Sequence, residues 1–230
     1  MKRTQVPLLS IRSVIVLFGA MILALALIAL SLGTSARQAD AATRLVTKTF
    51  TNSGQILIRA DAVLPECTTS VSGPATPYPS EKNVTFPSGS HIRDVNLTLK
   101  NYTHTFPDDV DVLLKKGTHN RTVMSDVGGG SPGVSNITLV LNDEATSALP
   151  DDVGLVGGSF KPRNVEDNPD GGGDQFPAPA PTQDTRSALS GFDTLNPNGT
   201  WKLFVQDDGG GDCGKFVGGW SLRIKAAVPG

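Results

Sequence analysis

Short runs of apolar residues spaced two apart dominate this chain, and a period of two leaves little choice of fold. Val95, Leu97 and Leu99 alternate with Asn96, Thr98 and Lys100. The same alternation carries Val110, Val112 and Leu114, then Ile137, Leu139 and Leu141, then Trp201, Leu203 and Val205, and finally Trp220, Leu222 and Ile224. Such spacing buries one face of a strand and wets the other. Glycine-rich separators stand between the runs at Lys116-Gly117-Thr118, Gly128-Gly129-Gly130, 207–211 and Gly218-Gly219. No helical period follows residue 41. These features predict an all-β fold: an antiparallel β-sandwich of jelly-roll, galactose-binding-like type.

The first 41 residues read differently. Lys2, Arg3 and Arg12 precede an uncharged apolar run from Val14 to Leu32, and Ala39-Asp40-Ala41 offers a small-residue cleavage site before Ala42. Residues 1–41 are therefore expected to be a signal peptide, and 42–230 the single β-sandwich domain. An uncleaved N-terminal anchor is the alternative, because nineteen apolar residues also span a bilayer. Under either reading the globular part is secreted, extracellular or held at the cell envelope, and an uncleaved segment is its one expected link to a membrane.

Residues 42–230 hold 16 basic and 21 acidic residues, a net charge of −5, with no basic patch interleaved with aromatics. Nucleic acid is not an expected partner. Of those acids 17 are Asp and 4 are Glu. Asp suits turns and hard-cation sites, so the skew directs attention to two groups. Asp108, Asp109 and Asp111 lie where a loop leads into a strand, and Asp207, Asp208 and Asp212 lie in a glycine-rich turn. Carboxylates on neighbouring loops supply the oxygen ligands that calcium takes, so these six are candidate ligands of a structural calcium ion. Solvated turn aspartates are the bland alternative. A fainter EF-hand echo at Glu166, Asn168, Asp170 and Gly171 fails because its twelfth position is Pro177.

Two cysteines, Cys67 and Cys213, are the only ones in the chain. In an oxidising compartment two thiols read as one disulfide, worth up to roughly 4–5 kcal/mol by chain entropy. Six N-x-T sequons begin at Asn83, Asn96, Asn101, Asn120, Asn136 and Asn198. They read as glycan acceptors in a eukaryotic secretory route, or as polar residues on wet strand faces. Asn198-Gly199 is a type I′ hairpin signal, and Trp201 and Trp220 are expected to anchor the core. The proline-rich stretch 66–80 should wrap a sandwich edge, 161–185 should be a long loop, and 187–192 a short helical turn.

Three blocks carry a family likeness. They are Thr105-Phe106-Pro107-Asp108-Asp109-Val110-Asp111-Val112-Leu113-Leu114 with Ser125-Asp126-Val127-Gly128-Gly129; Leu195-Asn196-Pro197-Asn198-Gly199-Thr200-Trp201-Lys202-Leu203; and Gly218-Gly219-Trp220-Ser221-Leu222-Arg223-Ile224. In order and spacing this pattern resembles the P domain (Homo B domain) of subtilisin-like proprotein convertases. In that family the domain follows a catalytic domain and stabilises it, so the resemblance implies a protease-associated accessory module whose partner is a secreted protease or a surface protein. Catalysis by this chain itself is not expected. His91, His104 and His119 read as surface or loop residues, and no G-T-S-M-A-like or G-x-S-x-G nucleophile segment exists. Two rival readings follow from the same architecture: a carbohydrate- or surface-binding jelly roll, marked by a grooved face with exposed aromatics, and a component of a serine endopeptidase, marked by a Ser–His pair in hydrogen-bond reach.

Overall fold

In a computed structural model of the chain, the described residues are 43–58, 72–130, 132–165 and 174–230. The expected leader 1–41 with its expected cleavage site, Cys67 and the EF-hand-like 166–171 lie outside them. Thirteen strands are described. The first five are β1 (Thr43–Asn52), β2 (Ile56–Ile58), β3 (Gly73–Pro74), β4 (Ser80–Val84) and β5 (His91–His104). Next come β6 (Val110–Lys116), β7 (His119–Ser125), β8 (Val134–Leu141), β9 (Gly158–Phe160) and β10 (Arg163–Asn164). The chain ends with β11 (Gly199–Asp207), β12 (Gly214–Phe216) and β13 (Trp220–Pro229).

The strands form two sheets. In the first, β1-β13-β5-β12-β2 are neighbours in that order, β8 also pairs β5, and β9 pairs β8. In the second the order is β10-β7-β6-β11-β3, and β4 also pairs β11. All pairs are antiparallel except β8 with β9 and β7 with β10. Those two parallel pairs sit on the segment that crosses between the sheets after β8, where two- and three-residue strands add to exposed edges. One apolar cluster takes side chains from both sheets, so they pack face to face as a sandwich. Leu97 and Leu99 of β5, Val112 and Leu114 of β6, Leu203 and Val205 of β11, and Leu222 and Ile224 of β13 are all fully buried in it or nearly so. Trp201 and Trp220 join them with no exposed surface. Their indole N–H groups donate to Pro197 O at 3.0 Å and to Ser80 Oγ at 2.9 Å.

Residues 188–193 make the expected short helical turn, a 3-10 turn over Leu189–Phe192. Its first amides are capped by the Asp143 carboxylate, which accepts from Leu189 N at 3.0 Å and Ser190 N at 2.7 Å. That turn, rather than a strand, precedes β11, so Asn198-Gly199 is not a hairpin. Asn198 instead accepts the Phe86 amide on its side-chain oxygen at 2.5 Å, and Gly199 alone takes a positive φ of 107°.

The sequons are structural polar positions. Asn101 and Asn136 both adopt left-handed backbone, at φ 54° and 56°, where the β5–β8 register shifts. Asn101 N donates to Thr138 Oγ1 at 3.3 Å, and Asn136 N donates to Thr103 Oγ1 at 2.9 Å. Each threonine thus satisfies the bulged amide of the opposite sequon, and the two Asn side chains bond each other at 2.9 Å. Asn96 and Asn120 are 8% exposed, too enclosed to carry a glycan in the folded state.

On the outward face of the second sheet, Leu113 and Phe204 are cross-strand partners. They point away from the inter-sheet core and are nonetheless buried. Tyr78 packs edge-on against Phe204 with ring centroids 5.0 Å apart. A strap of chain, residues 174–188, then runs across β7. Its Asp184 amide donates to Asn120 Oδ1 at 2.7 Å, its Asp184 carbonyl accepts the Thr122 amide at 3.3 Å, and Gln183 Oε1 accepts from Thr122 Oγ1 at 3.1 Å. Arg121, buried beneath it, donates to Asp184 Oδ2 at 2.7 Å and to Ala188 O at 3.2 Å.

Candidate metal centre

At one edge of the second sheet, alternation along β6 puts Asp111 on the outward face, opposite Gln206 of β11. Gln206 Nε2 donates to Asp111 Oδ2 at 2.8 Å. The other oxygen, Asp111 Oδ1, has no hydrogen-bond partner although the residue is 0% exposed. A buried carboxylate oxygen left bare is costly and calls for a donor or a cation.

Two more carboxylates converge on it. Asp126 follows the end of β7 in left-handed backbone, φ 49°, which turns its side chain back over the sheet edge. Asp174 begins the strap. Ser125 Oγ lies 2.8 Å from Asp126 Oδ2 and 2.5 Å from Asp174 Oδ2, so one hydroxyl proton serves two anions. One carboxylate oxygen each from Asp111, Asp126 and Asp174 lies within 4.8 Å of the others. Oxygens on opposite sides of a hard cation, each about 2.1–2.4 Å from it, are about 4.2–4.8 Å apart, so the triad is close enough to share one cation.

The charges are unbalanced. Burial pushes the Asp111 carboxyl well above the usual range, and Asp174, Asp208 and Asp126 add to it, against one opposing hydrogen bond from Gln206. Asp126 is raised to about 7 by burial first, then by Asp174, Asp208 and Asp108, with the Ser125 bond acting against them. Asp208 is raised by burial and by Asp174 and Asp207. The strongest charges acting on these three are other carboxylates. Carboxylates this close cannot all ionise without a countercharge.

The six aspartates singled out from the sequence separate into two neighbourhoods. Asp111 is in the triad, and Asp108 and Asp208 border it electrostatically. Asp109, Asp207 and Asp212 belong to a second neighbourhood beside His104. Asp109 is raised to about 7 by burial and by Asp207, Asp208 and Asp212, with His104 lowering it. Gly209 lets that carboxylate in, since a Cβ there would overlap it. Asp212 Oδ1 accepts from Thr105 Oγ1 at 2.9 Å, and the next residue, Cys213, is disulfide-bonded. Asp126 and Asp174 are the ligand candidates that sequence reasoning passed over. Each stands alone among glycines, and only the return of the strap across β7 brings them to Asp111.

His104 is a correction to the expectation of three surface histidines. It closes β5 as a buried residue, with Nε2 3.5 Å from Asp207 Oδ2 and Nδ1 2.8 Å from Phe106 O. His91 and His119 are exposed. Among the described hydrogen bonds, none joins a serine to a histidine. The described aromatics leave only Phe106 exposed, and a shallow cavity of about 270 Å³ lined by Asp143, Lys161, Pro162, Ser187 and Ala188 has no ring in its wall.

The metal-free edge has a definite pH signature. Asp109 and Asp126, at about 7 when folded against 3.8 ordinarily, hold protons that the unfolded chain has released. Their contribution to stability is present below about pH 4 and lost as pH rises through 7. Both are partly exposed, so screening reduces the joint effect to roughly 1–2 kcal/mol. In excess EDTA the melting midpoint should therefore fall between pH 5 and 8, whereas saturating calcium should flatten that slope. A midpoint that rises over the interval in EDTA would contradict these shifts.

Fold and edge together define a class: an all-β, two-sheet sandwich with an acidic, cation-sized cluster at one rim. No family model, curated protein or solved structure matches the chain.

Proposed function

We propose that this chain is an exported, non-catalytic β-sandwich module of jelly-roll, P-domain-like type that takes up a structural calcium ion and serves a subtilisin-like serine protease system. The observation that carries the calcium reading is the Asp111–Asp126–Asp174 triad around a buried oxygen with no partner. Asp111, Asp126 and Asp174 would hold the ion, with Asp108 and Asp208 adding negative charge beside it. The ion would supply the countercharge that lets buried carboxylates ionise. Gln206 orients Asp111, and Ser125 holds Asp126 and Asp174 toward one point.

The protease association comes from the three sequence blocks that resemble the P domain. The non-catalytic assignment follows from the same resemblance, in which the domain accompanies a separate catalytic domain. The module would act by docking and by its own stability.

Two measurements test this reading. Purified protein is expected to cleave neither casein nor dibasic peptides, and turnover abolished by a single serine substitution would overturn the non-catalytic assignment. Tagged protein recovered from culture medium in calcium should bring down a subtilisin-like protease. Recovery of the module without one would remove the accessory role.

A further inference from the structure

The strap is held in two unlike ways. Its C-terminal half is pinned by Asn120, Arg121 and Thr122 through bonds that need no cation, including the Arg121–Asp184 ion pair at 2.7 Å. Its N-terminal half, 174–181, includes Pro177, Pro179 and Pro181, which have no amide hydrogen to donate. Among the described bonds, Ser125 Oγ donates to Asp174 Oδ2 and Tyr78 OH donates to Pro177 O at 3.0 Å, both from the sandwich. Asp174 is also the only member of the triad that does not sit on, or directly after, a long strand of the sheet. Without a countercharge it faces Asp111, Asp126 and Asp208, which repel it.

Against this half lies Tyr78, which donates to Pro177 O and packs edge-on against Phe204, a buried apolar side chain on the outer face of the sheet. We propose that calcium capture by Asp174 together with Asp111 and Asp126 fastens residues 174–181 over this face, making the strap a calcium-dependent cover of an apolar patch. This rests on the calcium reading of the triad and adds its conformational consequence. Loss of the ion releases the front of the strap while Asp184 keeps its rear anchored, so Tyr78 and Phe204 become accessible without global unfolding.

Hydrogen exchange of the full chain, in excess EDTA and in millimolar calcium, tests it, with calorimetry on the same samples. The amides of Gln175, Phe176, Ala178 and Ala180 are expected to exchange about tenfold more slowly in calcium, while those of Thr122 and Asp184 change little. In Asp174→Asn the strap amides should exchange at the fast rate in both conditions. Calcium uptake by calorimetry with unchanged strap exchange would overturn the cover while leaving the metal centre standing. No uptake at all would overturn both. Equal slowing at Thr122 and Asp184 would show general stabilisation instead of a fastened strap, and would also overturn it.

Discussion

Replacing excess EDTA with calcium at a hundredfold over Kd should raise the thermal midpoint by about 5–10 °C. Binding only to the folded state adds RT ln(1 + [L]/Kd), about 2.7 kcal/mol under that condition. A domain of this size gains roughly 2–4 °C per kcal/mol. The gain has a local origin. The folded edge carries Asp111 with a bare buried oxygen and two further carboxylates within 4.8 Å, and the unfolded chain has no such arrangement. Magnesium should give little of it, because it surrenders its own water reluctantly and demands tighter octahedral geometry. Identical midpoints in EDTA, magnesium and calcium would mean that the aspartates share protons and water instead.

Trp201→Ala and Trp220→Ala should each cost about 3–5 kcal/mol, the loss that accompanies removal of a buried indole and the cavity it leaves. Trp201 packs at a tilt against Phe192, with ring centroids 5.1 Å apart. Trp220 donates to Ser80 Oγ, which also accepts from Asn52 Nδ2 at 3.1 Å, so this indole ties β13, β4 and β1 at one corner of the sandwich. Urea unfolding measures the loss. Variants that fold should keep the calcium-dependent rise, because neither ring lies at the acidic rim. A loss under 1 kcal/mol would contradict their placement in the core.

The sandwich was legible where strands run centrally. Val95–Leu97–Leu99, Val112–Leu114, Leu203–Val205 and Leu222–Ile224 each have one face against the other sheet, and that one-sided burial writes the period of two. It was not legible at the rims. β1 is an edge strand, largely exposed, with only Val46 and Phe50 packed on the core, so its pattern is faint. Ser80–Val84 carries no apolar alternation, yet it pairs with β11 as β4, and its Ser80 accepts from Trp220 and Asn52. Asn198-Gly199 has the chemistry of a hairpin, but its asparagine is engaged by the Phe86 amide. Sequence clustering found Asp111 and its neighbours, since adjacent aspartates are visible by eye. Asp126 and Asp174 are brought to Asp111 by the backbone turn after β7 and by the strap, neither of which leaves a local periodic trace.

Calorimetric titration of the purified protein with calcium tests the central claim most directly, run beside Asp111→Asn, Asp126→Asn, Asp174→Asn and, as a control, Asp212→Asn. One high-affinity site is expected in the native chain, weakened at least tenfold by each of the first three substitutions and little affected by Asp212→Asn. No calcium uptake by the native protein, or uptake that survives the loss of all three triad carboxylates, would contradict it.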